Sequence, residues 1–303
     1  MQNSKPALED TLPARALIVG CGDIGLRLAK RLRTMGREVT GVVRSDQSAS
    51  ELKQAGIAAL QMDIDAQAPP ATAPLLFWFA PPANAGDSDQ RLHRFLDANR
   101  TADLRIVYIS TSGVYGDCGG RWIDEDAPLQ PISPRAQRRL GAERALTAWG
   151  GDHVILRVPG IYGPGRLPVE RLQRQLPVVR AEESPYTNRI HSDDLAAAAL
   201  HAAAYGKRGA AYNISDGHPT TMCDYFTRCA SLLELPAPPQ VSMEEARQQF
   251  TPAMWSFMEE SKRLQNRRMI GELGFAPRFP DLATGLPSCL PAEMLEKFTK
   301  PEP

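Results

Sequence analysis

The sequence predicts an α/β fold, a doubly wound and mostly parallel sheet with helices on both faces, joined by a smaller, discontinuous C-terminal lobe. Three observations predict it. Short apolar runs alternate with amphipathic segments from Ala14 to about Gly165; a glycine-rich turn joins the first run to the first amphipathic segment; and the alternation breaks down beyond Gly165. A chain of 303 residues is long enough to bury a substantial core in one large domain with an attached lobe.

The elements follow in order. "ARALIVG" is a compact apolar run ending in glycine and reads as a buried strand. Ile24, Leu28, Leu32 and Met35 recur at helical spacing up to Gly36, a normal stop. "EVTGVVR" supplies a second strand, which completes a βαβ unit. A helix near Ser48 to Ala55, a short strand near Ala58 to Met62, the strand "PLLFWFA", a helix from Asp89 to Asn99 and the strand "LRIVYIST" continue the pattern. A helix follows "ISPRAQ" and leads to "HVILRVPGIYG", read as one buried strand passing into a glycine loop. Beyond it, "RLPVERLQRQL" looks helical, "PVVRAEESPYTNR" extended, "HSDDLAAAALHAAAYG" helical with an acidic start, and "AAYNISDG" a strand. From Pro219 two or three further helices are expected. These pieces divide into a core at 14–165, to which 190–215 returns, and a smaller lobe at 166–189 and 216–295.

Thirty-five basic and thirty-five acidic residues cancel, which argues against nucleic acid or an anionic membrane surface as a partner. The basic stretches "RAQRRL" and "SKRLQNRR" read as solvated helix faces. Five scattered cysteines without C-x-x-C spacing speak against a disulfide framework and a structural metal site, and fit a reducing compartment. Neither a signal segment nor a membrane-spanning run is evident, so the expected location is the cytoplasm.

Gly20, Gly22 and Gly25 form G-x-G-x-x-G between a predicted strand and a predicted helix, with Asp23 and Ile24 opening the helix. In that context the pattern is a Rossmann-type dinucleotide fingerprint: the first glycine for a tight turn, the second for close approach of pyrophosphate, the third for helix packing. Free N–H groups at the helix start favour the phosphates. The second strand ends in "GVVRSDQ". Arg44 can pair with a 2′-phosphate, which favours NADP; Asp46 is an alternative ribose partner, which keeps NAD possible. Asp63 could contact the adenine edge or cap its own loop. Ala80 and Pro81 fall at a strand's carboxyl end, where such sheets bind ligands.

With "GCGDIG", "STSGVYG", "RVPGIYGPG" and "RIHSDDLA" in that order, the chain resembles the extended short-chain dehydrogenase/reductases of the NAD(P)-dependent epimerase/dehydratase branch, from about Ala14 to Leu286. The resemblance implies a nicotinamide dinucleotide in the N-terminal lobe, a substrate that is often a nucleotide-sugar, hydride-transfer chemistry, and in many members a homodimer. It also implies that Thr111, beside Ser110 and Ser112, is the hydroxyl that contacts a substrate oxygen. The family's Tyr-x-x-x-Lys falls on "SPRAQRRLGAE", so that Arg135 stands at the tyrosine position and Arg139 at the lysine position.

The two arginines are i, i+4 on a helix and can face the same way, but a guanidinium stays protonated and cannot serve as a general base. Arg139 could still hold a ribose hydroxyl or phosphate. Proton transfer would pass to a substitute, and Tyr162, Tyr115, Tyr186 and His191 are the candidates, Tyr162 first. Asp194 reads as structural. Arg166 and Arg189, with His191, are candidate contacts to a small polar or nucleotide-linked substrate. Two functions stand open: an NAD(P)-dependent oxidoreductase or epimerase-like enzyme with non-canonical acid–base residues, and a catalytically silent NADP-binding redox sensor or regulatory protein.

Overall fold

The structure, a computed structural model, describes residues 5–100 and 103–290. The last stretch of the expected C-terminal lobe, 291–295, lies outside the described residues. Arg15–Val19 (β1), Glu38–Val43 (β2), Ala58–Gln61 (β3), Leu75–Trp78 (β4), Arg105–Thr111 (β5), Asp152–Val158 (β6) and Ala211–Asn213 (β7) form one seven-stranded sheet in the order β7-β6-β5-β4-β1-β2-β3. All six pairings are parallel. The order reverses between β1 and β4, and the crevice outside their carboxyl ends is the switch point at which Rossmann-type sheets bind ligands.

Successive strand residues point to opposite faces, and each face fills with its own apolar cluster. Asp23–Thr34 (α1), Asp46–Gln54 (α2), Gln90–Ala98 (α3), Pro134–Trp149 (α4) and Ser192–Tyr205 (α5) cover the sheet. Ile18 and Phe77 meet Leu28 and Leu32 of α1 and Leu195 and Ala199 of α5 on one face. Leu17, Leu76 and Trp78 meet Leu92 and Phe95 of α3 and Ala142 and Leu146 of α4 on the other. The near-continuous alanine and leucine of α5 is buried along most of its length, which brings a late segment of the chain back onto the sheet. Ser133 begins α4 by accepting the Ala136 N–H, Pro134 follows at the first helical position, and Gly150 ends the helix in the left-handed region.

The run "HVILRVPGIYG" does not form the single strand expected. β6 stops at Val158, because Pro159 has no N–H to offer the ladder, and Gly160–Tyr162 leaves the sheet to pair in parallel with Arg189–His191. The extended segment before it also pairs, Val178–Val179 with Gln240–Val241 and Tyr186–Thr187 with Thr220–Thr221. Only Val169–Gln173 of "RLPVERLQRQL" is helical. Beyond Pro219 come Met222–Leu232 (α6), Met243–Gln249 (α7) and Pro252–Met258 (α8), with shorter turns at Met269–Leu273 and Leu282–Gly285. A third apolar cluster unites Leu172, Val178, Phe226, Ala246, Met258 and Leu282.

Candidate active site

The glycine turn sits at the switch point. Gly20 has φ +81°, and a Cβ there would lie 2.4 Å from the backbone nitrogen of Ala80, so only glycine lets the end of β1 pass the end of β4. The Gly20 and Cys21 N–H groups both donate to the Val42 carbonyl, each at 3.1 Å. Open space surrounds the Cβ direction of Gly22, whereas that of Gly25 meets Ile18 and Cys21 at 3.1 and 3.2 Å. One glycine therefore faces a vacancy that a phosphate can approach, and the other packs helix on strand. Asp23 opens α1 and Ile24 is buried beneath it. Arg44 and Asp63 are exposed at the carboxyl ends of β2 and β3. The Asp63 carboxylate accepts the Asp65 N–H at 2.9 Å, which is the loop-capping role; Asp46 accepts from Gln61 at 2.8 Å. The Pro81 carbonyl accepts from Arg91.

Between the end of β5 and the C-terminal segments lies a cavity of about 470 Å³. Thr111, Ser112 and Gly113 form one wall, Pro159 to Ile161 a second, Tyr186 to Arg189 a third, and α6 and α8 supply Met222, Tyr225, Phe226, Met254 and Phe257. Arg135, Glu260 and Lys262 complete it. Thr111 Oγ1 accepts the Gly113 N–H at 3.2 Å, which leaves its own proton for another acceptor.

Three of the expected residues thus converge with Thr111, namely Ser112, Arg135 and Arg189, and Tyr186 joins them. Arg135, in the first turn of α4, is exposed at the rim and stacks its guanidinium on Phe257 at 3.8 Å. Arg189 is 7% exposed and stacks on Tyr225 at 4.1 Å. Its Nε has no hydrogen-bond partner among the described residues, and burial pushes its pKa below the ordinary value, although a guanidinium remains charged.

Other expected residues stand elsewhere, and each correction has a physical cause. Tyr115 is buried behind the cavity, where its hydroxyl donates to Asn213 at 2.8 Å and accepts from Arg157 at 3.0 Å. Arg157 in turn makes a buried ion pair with Glu143 at 2.9 Å, and Ser110 donates to Glu143. Tyr162 is fully buried in the third apolar cluster, its hydroxyl donating to the Asp281 carbonyl at 3.3 Å. Burial raises the pKa of both phenols well above the usual range, so neither can exchange a proton with a ligand in the cavity. His191 is also fully buried. Its Nδ1 accepts the Asp193 N–H at 3.1 Å to cap α5, and its Nε2 bonds Ser288 at 3.1 Å; burial lowers its pKa against the pull of Asp193 and Asp194. Asp194 accepts the Arg278 and Phe279 N–H groups at 3.0 and 2.9 Å, a structural role.

Arg139 turns from the cavity toward β5, donating to the Ile109 carbonyl at 2.6 Å and the Tyr108 hydroxyl at 3.2 Å. Arg166 reaches the glycine turn instead of the cavity and pairs with Asp23 at 2.5 Å, while Arg27 pairs with the same carboxylate at 2.7 Å. Burial alone would raise the Asp23 pKa, but the two guanidiniums override it and the net shift is downward.

Glu260 and Lys262 are the cavity residues that the sequence reading missed. Lys262 is 4% exposed and donates to Glu260 Oε2 at 2.6 Å and to the Gly116 carbonyl at 2.7 Å. Glu260 Oε1 is buried with no partner among the described residues. Lys262 belongs to "SKRLQNRR", expected to be a solvated helix face, yet it is buried and Arg263–Leu264 beside it is a strand; for Glu260 the charged run "EESK" carries no spacing that points to a site.

Residues 90–215 match the NAD dependent epimerase/dehydratase family, and residues 16–68 match the TrkA-N domain. Protein YeeZ of Escherichia coli (strain K12) is 28% identical over 286 residues, which cover 88% of this chain and 97% of YeeZ. A functionally unknown conserved protein from Silicibacter pomeroyi has a solved structure with TM-score 0.82 and 29% identity, covering 95% of this chain and 100% of that one. A double mutant of DesIV, the dTDP-glucose 4,6-dehydratase of Streptomyces venezuelae, solved with NAD bound, shares the fold at TM-score 0.73 and 20% identity, covering 91% and 95%. Through residues 90–215, its relatives and its switch-point glycine turn, the chain is similar to the NAD dependent epimerase/dehydratase family.

Proposed function

We propose that the protein is an NAD(P)-dependent oxidoreductase or sugar-nucleotide epimerase/dehydratase-like enzyme, acting on a small polar or nucleotide-linked substrate through non-canonical acid–base residues. One observation carries this reading: a cavity holding a free hydroxyl on Thr111 and an unpartnered carboxylate oxygen on Glu260 opens at the carboxyl end of the sheet that also carries the glycine turn.

Residues 14–165 with 190–215 bind the dinucleotide in this reading, and 166–189 with 216–295 bind the substrate; the separate third apolar cluster supports that division. The residues present fit a dinucleotide. Gly22 with the Asp23 and Ile24 backbone holds the pyrophosphate at the start of α1, in a turn that Gly20 and Gly25 shape, Ala80 and Pro81 line the crevice, and Arg44 receives a 2′-phosphate, which favours NADP over NAD. Bound there, the nicotinamide would supply the hydride acceptor and donor. Thr111 and Ser112 donate hydrogen bonds to the substrate oxygen at which charge develops. Glu260 Oε1 takes or returns its proton, with Lys262 holding the carboxylate in place; Tyr186, an exposed phenol on the cavity wall, is the second candidate. Arg135 binds charge and moves no proton. Relatives named as dTDP-glucose 4,6-dehydratases match part of the chain, which supports turnover over a silent NADP sensor.

The test is titration with NADPH and NADH, followed by turnover across a panel of sugar nucleotides and carbonyl compounds. Saturable binding with hydride transfer to at least one substrate is the expected result. Binding with no turnover across the panel would replace this reading with the silent one, and no binding of either dinucleotide would remove both.

A further inference from the structure

The cavity carries an unusual charge arrangement. Three cationic side chains, Arg135, Arg189 and Lys262, face it against one carboxylate, Glu260. Lys262 and Glu260 pair with each other at 2.6 Å, so the uncompensated charge is that of the two guanidiniums. Arg189 is the more telling. Its side chain is almost wholly buried, its Nε makes no hydrogen bond among the described residues, its NH1 reaches the Asn188 carbonyl at 3.4 Å and its NH2 the Met222 sulfur at 3.5 Å. A Cβ on Gly160 would lie 2.4 Å from that NH1, so the wall is thinned to a glycine where the guanidinium rests. Burying a charge without a partner is strongly unfavourable, and stacking on Tyr225 offsets only part of that cost. Asp216 attracts the guanidinium through space, but no carboxylate bonds it among the described residues, which leaves room for a ligand anion.

We propose that this cavity binds an oxyanion, a carboxylate or phosphate group of the substrate, between the guanidiniums of Arg135 and Arg189. The proposal rests on the cavity being the substrate site and names the chemistry of what enters it: a molecule whose acidic group lies close to the carbon bearing the oxygen that Thr111 and Ser112 contact. Arg189 is the buried end of the clamp. Arg135 sits at the rim, where stacking on Phe257 holds its planar fork open to an incoming anion.

The experiment is isothermal titration of the full-length protein, without dinucleotide, using malonate in one arm and inorganic phosphate in the other. Binding of malonate alone assigns a carboxylate, and binding of phosphate alone assigns a phosphate. Arg189→Met and Arg135→Met are each expected to weaken the bound anion by about tenfold or more, the usual effect of losing a charge-assisted hydrogen bond. Arg189→Met should also melt at a temperature no lower than the wild type, because it removes an unpaired buried charge; a merely structural arginine would lower it. If Arg189→Met does not fold, Arg135→Met decides, since that residue is exposed. The proposal is overturned if neither anion binds the wild type, if the arginine variants bind as the wild type does, or if binding is lost in Gly22→Val and kept in Arg135→Met, which would locate the anion on the glycine turn. None of these outcomes depends on turnover, so the proposed activity and this site fail separately.

Discussion

The glycine turn and the cavity stand at the same edge of one sheet, yet they are built in opposite ways. The turn is made by six consecutive residues, Gly20 to Gly25, braced by the Val42 carbonyl and by the close passage of Ala80. The cavity draws on β5, α4, Gly160, Tyr186 to Arg189, α6, α8 and Lys262, a spread of about 150 residues. A local motif is governed by backbone geometry and tolerates few substitutions. A dispersed site is governed by which side chains the fold happens to gather, so its chemistry can change residue by residue while the frame persists. Here the frame keeps the glycine turn, and the cavity carries arginine and a lysine–glutamate pair.

Five variants break or sharpen that comparison. Glu260→Gln should show the largest effect, a fall in turnover of roughly 10²- to 10⁴-fold, with loss of one limb of the pH–rate profile and little change in dinucleotide affinity. Unchanged turnover would return the proton step to Tyr186. Arg157→Met should cost about 3–5 kcal/mol of stability in chemical denaturation, because it leaves the buried Glu143 carboxylate without its cation and with only the Ser110 hydroxyl among the bonds described; Tyr115→Phe, which removes only a hydroxyl from the same network, should cost nearer 1 kcal/mol.

Asp216 gives a pH test. It is 3% exposed with Oδ2 unpartnered among the described residues, and burial pushes its pKa up to about 7 despite the His218 N–H that it accepts. The folded state thus holds the proton more tightly than the unfolded chain, so this contribution to stability is complete below the ordinary carboxylate range and is lost as pH rises through about 7. Asp216→Asn should flatten the fall in unfolding free energy across that window, by up to about 4 kcal/mol in the limit, with a correspondingly flatter melting temperature. A parallel pH dependence in wild type and variant would assign the fall to other groups. The smallest expected effect belongs to the turn: Arg44→Ala should reduce a preference for NADPH over NADH by about tenfold, read from paired titrations, and an unaltered ratio would leave Arg44 a solvated surface residue.

The core was legible because its signals are periodic and local. The buried runs of β1, β4 and β5, the spacing from Ile24 to Leu32 in α1, and the Ser133-Pro134 start of α4 each specify an element through its own residues. The break at Pro159 was readable in principle, since the missing donor is visible in the sequence, but the surrounding apolar run masks it. Cavity membership was less accessible. "VYG" and "IYG" both end strands, but Tyr115 is drawn inward by Arg157 and Asn213, and Tyr162 by the third apolar cluster. Arg135 and Arg139 share a helix face in projection, yet one meets Phe257 and the other the end of β5. Glu260 and Lys262 reach the site from a segment nearly 150 residues away from Thr111 in the chain, and no local pattern announces such a meeting.

The last rung joining β5 to β6 is Thr111 opposite Val158, and past it the two backbones splay, one into the turn at Ser112 and the other around Pro159. The hollow is the wedge between them, so its floor is set by where main-chain pairing ends and not by the mobility of a loop. Adding one rung, for instance by giving position 159 an N–H, would raise that floor by about 3.3 Å, the rise of one strand residue, and would shallow the chamber without touching any side chain that lines its mouth.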